Sequence, residues 1–335
     1  MRAVLPLLAL AVAACGAAEA EPPAPAGTPP LPVRACVNIG NALEAPNEGE
    51  WGPRITRADM AAIAAEGFDT VRLPVAWSAH ADADGRIDPA FLARVDEVIA
   101  WAMDAGLRVI IDLHHYWELE DDADAHIPRL LAIWDRLAAH YSGWPDTLLF
   151  EPVNEPSGSF TQARVNAFNA EVLRRIRATN PTRWVVLGGA HWGGVEPFRT
   201  SARPGMAIPD DPFVMATFHS YAPFEWSHQG AHFMDEPPST GRPLTRGDLA
   251  KFREEMAVGG AWSRTHQVPV LLGEFGPYIR TIPQDERARW TANARRAAER
   301  NGLGWCYFDW QTEFAFADAD THAPLPGMRH ALFGR

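Results

Sequence analysis

Thr147-Leu148-Leu149-Phe150-Glu151-Pro152-Val153-Asn154-Glu155-Pro156 and Pro269-Val270-Leu271-Leu272-Gly273-Glu274-Phe275-Gly276 are two apolar runs that each lead into a glutamate. Their interiors are continuous Val, Leu and Phe without polar alternation, the pattern of parallel strands buried on both faces. A carboxylate leaving the end of such a strand is costly to bury unless it is paired or takes part in chemistry. Six more runs read in the same way, at 33–41, 70–75, 108–115, 183–190, 213–221 and 304–310. Helical patterns lie between them. Residues 89–105 place Leu92, Val95, Val98, Ile99 and Met103 on one face, and 162–179 do so with Val165, Phe168, Val172 and Ile176. Further helices are expected over 246–265 and 284–300, with Asn180-Pro181 and Asn301-Gly302 as stops.

Eight strands alternating with helices predict an α/β fold, a (β/α)8 TIM barrel forming a single catalytic domain over 33–335. The region 196–212 is the exception, since its Pro and Gly leave no convincing helix after the fifth strand. An open doubly wound sheet is the alternative, but no Gly-rich phosphate loop follows the first strand.

Composition narrows the function. The chain has 335 residues, 47% hydrophobic and 21% charged, as a globular protein does. Its net charge of −12 argues against a nucleic-acid partner, which needs basic patches. The 13 Trp favour a carbohydrate ligand, because sugar rings stack on indole faces, although Trp is commonly core.

Residues 1–20 read as an export signal. Arg2 precedes an apolar run from Val4 to Val12 that is too short to span a bilayer. Val12-Ala13-Ala14-Cys15-Gly16 resembles a lipoprotein cleavage box with Cys15 lipidated, which would anchor the protein at an outer membrane or cell surface. Cleavage after Ala20 is the competing reading, and would give a periplasmic or secreted protein. Residues 21–32, rich in Pro and Ala, form a tether. Cys36 and Cys306 fall on the first and last strands, neighbours if the barrel closes. Two buried thiols are expected there, because disulfides across adjacent strands are geometrically awkward.

In a barrel of this kind the site is assembled at the C-terminal ends of the strands. Polar residues collect at those ends: Asn38 and Asn41 on the first, Arg72 on the second, Asp112 and His114 on the third. Asn154 and Glu155 follow on the fourth, His219 and Tyr221 on the sixth, and Glu274 on the seventh. Paired carboxylates in one such site match the needs of glycoside hydrolysis. A metal reading of Asp112, His114, His115 and His219 lacks a His-x-His pair on the first strand and a helical His-Glu-x-x-His, so no metal or cofactor is expected.

The motifs Asn38-Ile39-Gly40-Asn41, Arg72-Leu73-Pro74, Asp112-Leu113-His114, Asn154-Glu155-Pro156, His219-Ser220-Tyr221 and Gly273-Glu274-Phe275 occur in this order along the chain. Together they resemble glycoside hydrolase family 5, the retaining cellulase-type barrels. The resemblance implies Glu274 as nucleophile and Glu155 as acid/base, about 5–5.5 Å apart. It implies that Arg72 and Tyr221 keep Glu274 ionised, while burial and the charge of Glu274 raise the pKa of Glu155. Asn154 would bind the sugar 2-hydroxyl, and His114, His219 and Asn41 would support substrate. The substrate implied is a β-linked polysaccharide or oligosaccharide, cleaved by a monomer. An endo-β-1,4-glucanase is favoured, with β-mannanase, xyloglucanase and exo-β-glucanase as relatives. A non-catalytic glycan-binding protein on the same scaffold is the alternative of another class.

One departure stands out. The family places a Trp on the last strand as the sugar platform, whereas Phe308 occupies that position here. Either Phe308 serves as a smaller platform, or Trp310 replaces it. Trp77, Trp117, Trp192 and Trp226 are further candidates for sugar subsites.

Overall fold

A computed structural model describes residues 25–335. The signal and lipidation expectations, Cys15 included, lie outside the described residues. Eight parallel strands close into a barrel in sequential order: β1 Ala35–Asn38, β2 Thr70–Leu73, β3 Arg108–Asp112, β4 Leu148–Glu151, β5 Val185–Leu187, β6 Val214–His219, β7 Val270–Glu274 and β8 Gly304–Tyr307. Closure is made by β1 on β8, with Cys36 opposite Cys306.

The surrounding helices are α1 Arg57–Glu66, α2 Pro89–Asp104, α3 Glu118–Asp121, α4 Ala123–His140, α5 Gln162–Arg177, α6 Phe224–Ser227, α7 Arg246–His266, α8 Gln284–Arg300 and α9 Met328–Phe333. Their starts follow local chemistry. Thr56 and Asp59 form a capping box at α1, Thr245 and Asp248 form another at α7, and Asp88 with Pro89 opens α2. Between β5 and β6 the chain makes only one 3₁₀ turn, Glu196–Phe198. The weak helix signal there corresponds to a real gap in the helical ring. Among the described residues no helix is long and apolar enough to cross a membrane.

Side chains on a strand alternate between the barrel interior and the helical layer. Cys36, Ile110, Leu149, Val186, Met215, Leu271 and Cys306 form one interior apolar layer. Two residues onward, toward the C-terminal ends, the layer above it contains Asn38, Asp112 and Glu151, and Arg72 joins them from β2. The floor of the site is thus the strand period carried one step past the apolar core.

Cys36 and Cys306 are joined by a disulfide, with Cα atoms 4.1 Å apart. The expectation of two free thiols is corrected. Aligned register and burial of both residues at 0% exposure place the two sulfurs together inside the barrel.

Candidate active site

Arg72 organises the centre. It is fully buried and sends its donors to four strands. Nε and Nη2 make a bidentate pair with Glu151 at 2.8 and 2.9 Å. Nη1 reaches Asn38 Oδ1 at 2.9 Å and Glu274 Oε1 at 2.8 Å. Nη2 also donates to Asn154 Oδ1 at 2.8 Å and lies 2.5 Å from Asp112. A guanidinium has five N–H donors, and none here is left without an acceptor. Burial works against the Arg72 charge, but Asp112, Glu151 and Glu274 hold its pKa well above the usual value. Glu151 was assigned no role from the sequence, and Asp112 entered only as a strand-end polar residue and in the metal set that was set aside there. The signal was present in the period of two that places them directly above Leu149 and Ile110.

Glu274 is held from both sides. Oε1 accepts from Arg72, and Oε2 accepts from the Tyr221 hydroxyl at 2.8 Å. Burial alone would raise its pKa, but the charges of His219 and Arg72, together with the Tyr221 hydrogen bond, bring it below the usual carboxylate range. Arg72 and Tyr221 are the partners expected from the sequence, whereas the influence of His219 on Glu274 was not expected.

Glu155 has different surroundings. Its side chain is 26% exposed, so the burial invoked from the sequence is only partial. Its nearest ionisable partner is His219, whose Nδ1 lies 2.7 Å from Oε1. The same nitrogen is 3.8 Å from Glu274 Oε2. Burial lowers the His219 pKa, but Glu274 and Glu155 overcome this and raise it. His219 is brought level with Glu274 by a register shift between Phe218 and His219 on β6. It lies directly over Gly273, where a Cβ would approach Nε2 to 2.8 Å, so a larger residue would displace the imidazole.

One donor atom each from Glu155, His219 and Glu274 falls within a 4.8 Å cluster. This set differs from the metal set weighed from the sequence, and its atoms are engaged with one another, Arg72 and Tyr221. The remaining expected residues are distributed around it. His114 Nδ1 pairs with Asp112 at 2.9 Å, and Asn154 Nδ2 lies 3.3 Å from His114 Nε2. Asn41 Nδ2 donates to Thr312 Oγ1 at 2.9 Å. Its backbone N–H, with that of Ala42, donates to the buried carboxylate of Glu44, a residue not singled out from the sequence.

Phe308 is half-buried and packs so closely on Gly40 that a Cβ there would come within 2.7 Å of Cζ. Trp310 is 1% exposed, donates its indole N–H to Asp59, and stacks on Phe316. It cannot act as a platform in this arrangement. β8 ends at Tyr307, so strand alternation no longer governs the direction of residue 310. Trp77 and Trp226 are likewise core residues. Trp117 and Trp192 are each 55% exposed and share a small cavity with Glu155.

Residues 37–314 match the family model described as "Cellulase (glycosyl hydrolase family 5)". Endoglucanase H of Acetivibrio thermocellus is 31% identical over 304 residues, which cover 88% of this chain and 32% of that protein. The chain thus spans about a third of the length of that relative. A solved endoglucanase superposes with a TM-score of 0.86 at 34% identity, covering 90% of this chain and 97% of the other. Cel5A of Thermotoga maritima, solved in complex with mannotriose, gives 0.83 at 34% identity over 90% and 97%. The chain belongs to glycosyl hydrolase family 5.

Proposed function

We propose that the protein is a retaining endo-β-1,4-glucanase that acts without metal or cofactor. The observation that carries this reading is the proximity of the two carboxylates, with an oxygen of each within 4.8 Å. Retaining enzymes hold their carboxyls about 5–5.5 Å apart, whereas inverting enzymes need about 6.5–9.5 Å to admit a water. In the first step an oxygen of Glu274 attacks the anomeric carbon while Glu155 protonates the departing glycosidic oxygen. The product is a glycosyl ester on Glu274 and a free leaving-group alcohol. In the second step Glu155 takes a proton from water, whose oxygen attacks the same carbon and releases Glu274. The ion pair with Arg72 keeps Glu274 an anion, and the 2.7 Å contact with His219 gives Glu155 a proton-sharing partner.

Proton NMR of early products from a β-glucan tests this directly. A first-formed β-anomer is expected, and a first-formed α-anomer rules out retention. Release of reducing ends from carboxymethylcellulose, barley glucan, xyloglucan and glucomannan ranks the substrates. Glucomannan belongs in the panel because a relative was solved with mannotriose. No release from any of them would favour a binding protein.

Export is part of the same proposal. The N-terminal run supports it, as does the Cys36–Cys306 bond, because disulfides persist mainly in oxidising compartments. Palmitate labelling that disappears in Cys15→Ser identifies the lipidated form, and no labelling points to cleavage after Ala20.

A further inference from the structure

His219 and Tyr221 reach the two glutamates from the end of β6, and Ser220 stands between them. The contacts alternate along this stretch, as they do along a strand. His219 and Tyr221 meet the glutamates, whereas Phe218 and Ser220 meet α7 in the helical layer outside the barrel. A Cβ at Gly259 would come within 2.5 Å of Phe218 Cε1, so α7 packs closely on β6 at that point. Glu255 precedes Gly259 by four residues and lies on the same face of α7. There Oε2 of Glu255 accepts from the Ser220 hydroxyl at 2.6 Å.

A carboxylate is out of keeping with the packing around it. Phe198 contacts both Phe218 and Trp262, with ring centroids 5.4 and 5.0 Å apart, and an apolar residue at 255 would continue that layer. Glu255 is half-buried instead, which costs desolvation. Burial raises its pKa, the Ser220 hydrogen bond lowers it, Glu196 raises it, and Lys251 and Arg199 lower it, with a net upward shift. The Ser220 hydroxyl therefore offsets a charge that the position disfavours.

The run after β6 is otherwise held through its main chain. The His219 N–H donates to the Gly193 carbonyl at 2.8 Å, and the Ser220 N–H donates to the Glu274 carbonyl at 3.0 Å. The β6–β7 register shifts between Phe218 and His219, so regular ladder pairing is interrupted where the run begins. The bond to Glu255 adds a side-chain anchor from outside the barrel. Two site contacts depend on the same run: His219 Nδ1 at 2.7 Å from Glu155 and the Tyr221 hydroxyl at 2.8 Å from Glu274.

We propose that Glu255 is a positioning residue whose hydrogen bond to Ser220 sets the place of the His219-Ser220-Tyr221 run, and through it the contacts that His219 and Tyr221 make with Glu155 and Glu274. Its consequence for turnover rests on the glucanase reading above.

Glu255→Leu tests this, because leucine suits a helix and offers no acceptor. Relief of carboxylate desolvation opposes loss of the hydrogen bond, so Tm should stay within about 3 °C of the intact protein. Turnover should respond instead: kcat on carboxymethylcellulose is expected to fall about tenfold with KM within about twofold, as for displaced catalytic groups. Glu255→Gln retains a carbonyl oxygen for the hydroxyl and should return kcat to within about twofold. Ser220→Ala removes the same bond from the strand side, and the double variant Glu255→Leu with Ser220→Ala should lose no more than either single change. NMR titration of the His219 imidazole, identified by the signal missing in His219→Gln, gives a readout independent of turnover. Its pKa is held up by Glu274 and Glu155, so it should be lower in Glu255→Leu as the imidazole leaves them. In an active enzyme, unchanged kcat in Glu255→Leu overturns the assignment, and so does an unchanged His219 titration. Losses that add in the double variant, or a Glu255→Gln as impaired as Glu255→Leu, overturn it as well. If Glu255→Leu does not fold, Ser220→Ala carries the same two readouts. If the intact protein hydrolyses no glucan while the His219 titration moves as expected, the glucanase reading fails and the placement by Glu255 stands.

Discussion

Nη1 of Arg72 donates to Oε1 of Glu274 at 2.8 Å, and the same nitrogen donates to Asn38 on the first strand. The cation that sets the charge of Glu274 is therefore itself fixed by Asn38, Asp112, Glu151 and Asn154. Positioning and electrostatics are coupled here, because each partner that orients the guanidinium also stabilises its charge.

Arg72→Lys separates the charge from the fork. Lysine keeps one positive charge but offers three donors in place of five, and it cannot make the bidentate contact with Glu151. Buried Glu151 and Asp112 lose hydrogen bonds, with an expected cost of about 3–5 kcal/mol, visible as a lower Tm. Glu274 has a folded pKa below its unfolded value, so its stabilising contribution is present above the unfolded pKa and is lost as pH falls through the folded one. Weakening the Arg72 contact raises the folded pKa. The acidic limb of kcat/KM should move to higher pH, and an unmoved limb would show that Arg72 does not set the charge of Glu274.

The two glutamates should separate by chemical rescue. Glu274→Ala is expected to abolish turnover, and azide should restore it on an activated β-cellobioside as the α-glycosyl azide. Glu155→Ala should lose about 10²–10⁴-fold on substrates with poor leaving groups. Azide should then trap its glycosyl-enzyme as the β-glycosyl azide. Mass spectrometry and NMR of the azides decide the assignment, and exchanged configurations would reverse the two roles.

His219 gives the basic side of the profile. Its folded pKa is raised by Glu274 and Glu155, so its stabilising contribution is complete below the unfolded pKa and disappears as pH rises through the folded one. Glu155 loses its charged partner over the same range. His219→Gln keeps a donor near Glu155 but does not titrate, so the alkaline limb of kcat/KM should move or vanish while the acidic limb persists. An alkaline limb identical to that of the intact enzyme would exclude His219 as its source.

The strands and the carboxylate pair were legible because burial on two faces writes continuous apolar runs, and charge at their ends stands out. Other features were less legible. α4 carries Pro128 in its interior, which reads as a break, and α1 is so rich in Ala that its apolar stripe is faint. Its T-x-x-D capping box at Thr56 and Asp59 was nevertheless available in the sequence. Trp77, Trp226 and Trp310 could not be told from Trp117 and Trp192, because exposure of a strand-end indole depends on loops from distant parts of the chain. The proton-sharing contact of Glu155 with His219 depends on a register shift, which leaves no mark in local sequence.

The Cys36–Cys306 bond ties closure of the barrel to the floor of the site. Asn38 Nδ2 lies 3.4 Å from both Cys306 Sγ and the Cys306 carbonyl oxygen, and Asn38 Oδ1 accepts from Arg72. Replacing both cysteines by serine removes the crosslink and places two hydroxyls in an apolar layer, so stability should fall by at least the 2–5 kcal/mol typical of a lost native disulfide, about 2–4 °C of Tm for each kcal/mol. The ladder between β1 and β8 remains, so the folded variant should keep kcat within a few-fold at moderate temperature. Calorimetry of both forms with and without reductant checks this. Reductant should lower the Tm of the intact enzyme, where unfolding exposes the bond, and leave the variant unchanged. Alkylation of Cys36 and Cys306 in denatured protein that was never reduced would show that the thiols are free, and the difference in Tm would then measure hydroxyl burial instead of a crosslink.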